Sequence, residues 1–236
     1  MKKSMCIATC LLIATGIASY GQPYKYPVRP GTDQWKALNS TVEKIAICQL
    51  PESLVKNIST RDLLISCLNY PLLNNYTASN SAYDGLLNIV KTFNGLSEFL
   101  ERSDAHQILL NYYISDKTSD INRKLDKGGY TFISSAIELL LCHENIINRF
   151  NQNEQKRVLK LLLLKYHEKE QFKEYFGFYG KMTTAFVATK YIERLDKQFL
   201  ILNDRQKLFS EKMLMIDLKV VDELLITVND YVNKLN

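Results

Sequence analysis

A chain of 236 residues with 46% hydrophobic and 23% charged side chains has the makeup of a folded globular protein, which excludes a largely disordered one. Its formal net charge of +5 falls to about +3 once Lys2 and Lys3 are set aside, too little for a nucleic-acid binder or a protein held on an anionic membrane. Past residue 20 no apolar run is long enough to cross a bilayer, and the richest, 158–164, is interrupted by Lys160.

Lys2 and Lys3 precede an apolar run from Met5 to Ala18, and Ser19, Tyr20 and Gly21 follow it. A positive end, a short apolar stretch and small residues at −3 and −1 make residues 1–21 a secretory signal peptide, too short to span a membrane. Cleavage after Gly21 would leave an exported protein, periplasmic or secreted, that starts at Gln22. A lipid anchor would need a cysteine at the cut. Cys10 and Cys6 both follow too few apolar residues for that.

Residues 22–31 hold three prolines and a glycine and must run extended or turned. The aromatics and prolines between Tyr24 and Trp35 predict an arm ordered against the rest of the protein. From Thr32 on, the period is helical. It predicts helices near 33–48, 52–57, 60–70, 83–93, 96–115, 130–150, 152–176, 180–197 and 204–235. Ser40 with Glu43, Asn151 with Glu154 and Asn203 with Gln206 offer capping boxes; Pro71, Gly95, Gly128, Gly129 and Gly177 mark helix ends. No strand pattern of any length is present. The expected fold is all-α, an irregular stack of about eight to ten helices, helical-repeat-like or a bundle, in a single domain over 32–236. The polar stretch 116–127 is the one candidate linker, between possible lobes 32–115 and 129–236.

In the 130–150 helix, Phe132, Ile133, Ala136, Ile137, Leu140 and Ile147 share one side and Leu139, Cys142, Ile146 and Phe150 widen it, so burial over most of its circumference is expected. The single break at Asn151 predicts an antiparallel hairpin with the 152–176 helix. In the last helix Leu214, Leu218, Val221, Leu225, Val228, Val232 and Leu235 keep 4-3 spacing, as in a coiled-coil dimer seam. A second apolar line, Met213, Ile216, Val220, Leu224 and Tyr231, makes the stripe wider than a seam needs and favours packing on the chain's own core.

Cys48, Cys67 and Cys142 remain after the leader, an odd and sparse set for a disulfide scaffold. Cys48 and Cys67 are the candidate disulfide, and Cys142 reads as a buried small hydrophobe. The motifs of catalysis fail one by one. His143-Glu144 and His167-Glu168 lack the second histidine one turn on, where Ile147 and Gln171 stand, so neither is a zinc site. Gly177-Phe178-Tyr179-Gly180-Lys181 lacks the first glycine and the hydroxyl of a phosphate loop, and Gly95-Leu96-Ser97-Glu98-Phe99 lacks the second glycine of a nucleophile elbow. Cys142 and His143 are adjacent on a helix and point apart. The carboxylates between Lys165 and Glu174 sit among lysines and read as a solvated, ion-paired face. No cofactor, metal or catalytic residue is assigned. Asn39, Asn57 and Asn75 match the N-glycosylation pattern, which matters only in a host that glycosylates it.

One cluster stands out for binding. Tyr175, Phe176, Phe178 and Tyr179 surround Gly177 at an expected helix-to-helix turn, where a glycine-flexed aromatic loop could grip a partner. The same residues also suit a helix end with Phe178 folding back over the last turn.

Tyr26-Pro27-Val28-Arg29-Pro30-Gly31-Thr32-Asp33-Gln34-Trp35-Lys36, Cys67-Leu68-Asn69-Tyr70-Pro71-Leu72 and Phe93-Asn94-Gly95-Leu96 resemble segments of a family of exported, all-helical bacterial proteins of unassigned function. The resemblance covers the N-terminal third and implies export and helices, with no activity attached. Two classes of function stay open: an exported non-catalytic binding protein whose partner is another protein, or an extracytoplasmic enzyme whose acid–base pair no motif reveals.

Overall fold

A computed structural model describes residues 21–214 and 217–235. Of the expected leader, residues 1–21, all but Gly21 lie outside the described residues, as does Ile216. Among the described residues the chain is all helix: α1 (Asp33–Ala37), α2 (Thr41–Ile47), α3 (Glu52–Asn57), α4 (Thr60–Leu68), α5 (Ala82–Thr92), α6 (Asn94–Glu101), α7 (Ala105–Ser115), α8 (Lys127–Leu141), α9 (Glu144–Ile147), α10 (Gln152–Glu170), α11 (Lys173–Leu195), α12 (Asp204–Lys212) and α13 (Lys219–Lys234). Two 3-10 segments, Leu73–Ala78 and Thr118–Arg123, complete it.

The helices outnumber the expected eight to ten because caps cut what the apolar period joins. Ser40 closes a capping box with Glu43 and so separates α1 from α2; Asn151 and Asn203 do the same for α10 and α12. Arg102 ends α6, turning its guanidinium onto Ile58 O and Val55 O, each at 2.6 Å, where it caps the last carbonyls of α3. His143 starts α9, its Nδ1 accepting the Asn145 N–H at 3.2 Å. Met213, left-handed at φ +52°, separates α12 from α13. The break expected near 177–180 falls at Gly177, where two helical stretches of α11 meet at a kink. Gly177 stands there at φ +52°, ψ −157°, a conformation open only to glycine.

Helix α8 is buried on nearly every side, as its wide stripe predicts, and each covered Leu or Ile there contributes about 1.5–3 kcal/mol. The α8–α10 hairpin does not form. Helix α9 redirects the chain, so α10 pairs with α11 across the two-residue turn at Gln171 and Phe172, and α8 packs on α11 as well. Most of the 4-3 line of α13 is spent inside the chain: Val221, Leu225, Val228 and Val232 are buried together with Val220, Leu224 and Tyr231, largely against α11, while Leu214 and Leu235 are half-buried and Leu218 is exposed.

The stretch 116–127 is packed over its first half, at Thr118 and Ile121, and exposed over 122–126. Ile121 is fully buried beside Tyr130 and Phe176, and the Lys165 ammonium donates to Asp116 O. One apolar core runs on from Tyr26 to Val232 across both stretches, 32–115 and 129–236. The N-terminal arm lies on this core. Tyr24 N–H donates to Ser66 Oγ at 2.8 Å, the Tyr26 hydroxyl donates to Ser66 O at 3.2 Å, and Tyr26 and Val28 are buried.

The Cys48–Cys67 bridge is absent; all three cysteines are free and buried. Cys48 Sγ is engaged with Val28 O at 3.7 Å, and the buried Tyr26 sits beside both thiols. Burial pushes the Cys67 thiol up, and the Cys142 thiol up to about 12.

Candidate functional site

Four places hold chemistry worth weighing, and the first is sealed. Glu138 of α8 is fully buried, and its Oε1 accepts from Lys169 Nζ at 2.6 Å and from the Tyr113 hydroxyl at 2.7 Å. Its Oε2 accepts from Thr184 Oγ1 at 2.9 Å, and Lys169 also reaches Thr184 at 3.1 Å. Lys165 lies 5.1 Å from the Tyr113 ring centroid. Desolvation holds the Lys165 ammonium below and the Tyr113 phenol above their ordinary ranges. The solvated face expected over 165–174 is therefore wrong for Lys165 and Lys169. Both continue the Val158–Leu162 stripe one and two turns further, at i+7 and i+11, and so enter the core. None of the clefts described below reaches Glu138, and every charge in the cluster has its partner. Its chemistry is that of a satisfied structural network.

The second place is a cleft of about 520 Å³ among α5, α9, α11 and α12, lined by Tyr83, Cys142, Lys190, Arg194 and three glutamates, Glu144, Glu193 and Glu211. Glu193 is held by Lys190 at 3.2 Å, and Arg194 donates to Asn148 Oδ1 at 2.5 Å. Cys142, a protonated thiol bonded to Leu139 O at 3.2 Å, is no nucleophile at neutral pH. No histidine reaches this cleft. His106 packs edge-on against Phe150, His143 caps α9, and His167 stacks near Tyr166. Among the described residues no group of His, Cys, Asp and Glu could hold a metal ion.

The third place is the aromatic cluster expected to bind. Phe176 is buried against Ile121 and Tyr130. Phe178 and Tyr179 are half-buried on the main core, with Tyr179 between Tyr76 and Phe132. Tyr175 is the most exposed of the four, and Lys127 Nζ donates to its hydroxyl at 2.8 Å and stands 4.3 Å from its ring centroid. The four rings do not converge on one exposed surface, because the kinked helix sends successive side chains to different sides.

The fourth place is the largest of these clefts, about 710 Å³, which opens along the N-terminal arm. Tyr24, Lys25, Tyr26, Pro27, Arg29 and Pro30 form one side, and Thr32, Asn69 and Pro71 close it. Beneath it Tyr26 leans on Tyr70 at 6.1 Å between centroids, and Tyr70 stacks on Phe93 at 3.9 Å. Asn94 then ties this corner to Leu50, Nδ2 to O at 2.7 Å and Oδ1 to N at 3.0 Å. The arm, the 67–72 segment and the 93–96 turn, three strings distant in sequence, thus meet at one corner. The arm's Pro and Tyr content was visible in the sequence, but that Asn69 and Pro71 face it was not. Thr32 caps α1 and Asn69 ends α4, while the rest of the wall is Pro71 and the non-helical arm, and no carboxylate lines the cleft. Compared with known proteins, the chain matches no family model, no curated protein and no solved structure.

Proposed function

We propose that the protein is an exported, non-catalytic binding protein that engages another protein through its helical surface, with the cleft along the N-terminal arm as the contact. The leader-like residues 1–21 support export. The observation that carries the binding reading is the arm cleft itself: large, walled by tyrosine and proline, and backed by the stacked Tyr70 and Phe93. Rigid aromatic and proline surface gives up little conformational entropy on contact, which suits it to an interface. A photo-crosslinking residue at position 27, in the exporting cell, should yield a discrete protein adduct that the same residue at exposed position 201 does not. Equal labelling from both positions, or none from either, rejects the reading.

The enzyme alternative rests on the 520 Å³ cleft, where Tyr83, Glu144, Glu193 and Glu211 converge. Turnover of any substrate that disappears in both Glu144→Gln and Glu211→Gln would favour it.

A further inference from the structure

The arm has two faces of different character. Tyr26 and Val28 are buried, whereas Lys25, Pro27 and Arg29 are exposed, an alternation along an arm that bends at Pro27 and Val28. The inward face is fixed by Ser66, Cys48 and Tyr70. The outward face carries charge of one sign. Lys25 and Arg29 are the charged residues lining the cleft, and neither side chain has a hydrogen-bond or ion-pair partner among the described residues. The next carboxylate along the chain, Asp33, is taken by Lys36 at 3.0 Å.

We infer that the partner's docking segment is an extended, acidic stretch of polypeptide with two carboxylates no more than about four residues apart. This rests on the binding reading above. Fully extended backbone advances at most about 3.4 Å per residue, and the arm bends at Pro27 and Val28, so Lys25 and Arg29 stand no further than about 14 Å apart and a matching extended segment needs its carboxylates within that reach. Pro27 and Pro30 offer no N–H, so a continuous strand ladder cannot form along the arm. Recognition therefore runs through side chains: carboxylates on Lys25 and Arg29, and apolar or proline residues between them on Tyr24, Pro27 and Pro71. A cleft of 710 Å³ falls in the size range of sites that enclose a sizeable ligand. Two cations are too few for the competing anions. Polybasic membrane contacts use about four to eight lysines and arginines, and duplex nucleic acid is held by more phosphate contacts than two residues supply.

Fluorescence anisotropy with the purified full chain tests this. The probe is a labelled nine-residue peptide with glutamate at positions 3 and 7 and proline and alanine between; its control carries glutamine at both positions. The glutamate peptide should bind at least about tenfold tighter, lose that margin in the Lys25→Ala/Arg29→Ala double variant, and weaken as salt rises. The unchanged melting temperature of that variant would show that its fold is intact. Equal affinity for both peptides, with binding lost in Tyr24→Ala, overturns the acidic-segment inference and leaves the binding reading standing. Binding of polyphosphate or of phosphatidylserine vesicles as tight as that of the glutamate peptide overturns it in favour of a general anion site. No binding of either peptide overturns it too, and, joined to a silent crosslinker at position 27, takes the binding reading with it.

Discussion

The Glu138–Lys169 cluster and the arm cleft use charge in opposite ways. In the core, Lys169 has lost its water and is held at 2.6 Å by Glu138, which Tyr113 and Thr184 complete on its other lone pairs. At the arm, Lys25 and Arg29 are exposed, and among the described residues neither side chain has a partner. A buried charge left unpaired is strongly destabilising, so the core must be closed; an exposed one costs almost nothing and is free for a partner. The number of titratable groups at a place therefore says less about function than whether they are already satisfied.

Breaking the core pair should have the largest effect. Glu138→Ala leaves Lys169 buried and unpaired and should lower stability by about 3–5 kcal/mol in urea denaturation. The triple variant Glu138→Leu/Lys169→Met/Thr184→Val should recover most of it, since a closed apolar set replaces a closed polar one. A loss below about 1 kcal/mol in Glu138→Ala would erase the contrast with the arm. Next comes the inward face of the arm: Tyr26→Ala removes a buried ring and the bond to Ser66 O and should cost about 2–4 kcal/mol. Gly177→Ala forces a Cβ into a glycine-only conformation and should cost about 1–3 kcal/mol, read from the same denaturation curves.

A smaller, pH-dependent loss is expected at α9. Burial holds the His143 imidazole below its ordinary value, against the opposing pull of Glu144 and Glu101. The unfolded chain then takes up its proton first, so stability contributed by the neutral ring is present above the unfolded value of about 6.5 and declines as pH falls below it. His143→Asn, which can cap at any pH, should flatten the melting temperature between pH 7.5 and 5. Smallest of all, Lys25→Ala and Arg29→Ala should each change stability by less than about 0.5 kcal/mol, and a larger change would mean that the outward face also serves the fold.

The all-α class, three capping boxes and the buried α8 were legible because each shows in a local pattern of residues. The packed arm was legible because its own prolines and aromatics have apolar surface to bury, though the residues that receive it, Ser66, Cys48 and Tyr70, were not. What was not legible depends on distant ones. Arg102 ends α6 by reaching carbonyls of α3, which no local period announces. The pairing of α10 with α11 follows from where the short α9 sends the chain. Lys165 and Lys169 carried the right register for the core, but their charge argued for solvent until Asp116 and Glu138 were seen to meet them. The aromatic cluster around Gly177 was visible as composition; its dispersal by the kink was not. The arm cleft shared both conditions: Lys25, Pro27 and Arg29 are readable as an alternating row, while Asn69 and Pro71 arrive from α4's end only in the fold.

The three covered thiols have a kinetic meaning. A thiol that is protonated and out of solvent reacts only during the moments when its surroundings open, so its alkylation rate measures how often that opening occurs. Cys48 and Cys67 lie under the arm beside Tyr26, and Cys142 lies at the end of α8. The native chain thus carries its own set of clocks, two for the lifting of the arm and one for the breathing of α8 against its neighbours. A segment bound along the outer face of the arm would slow the first two and leave the third running at its own pace.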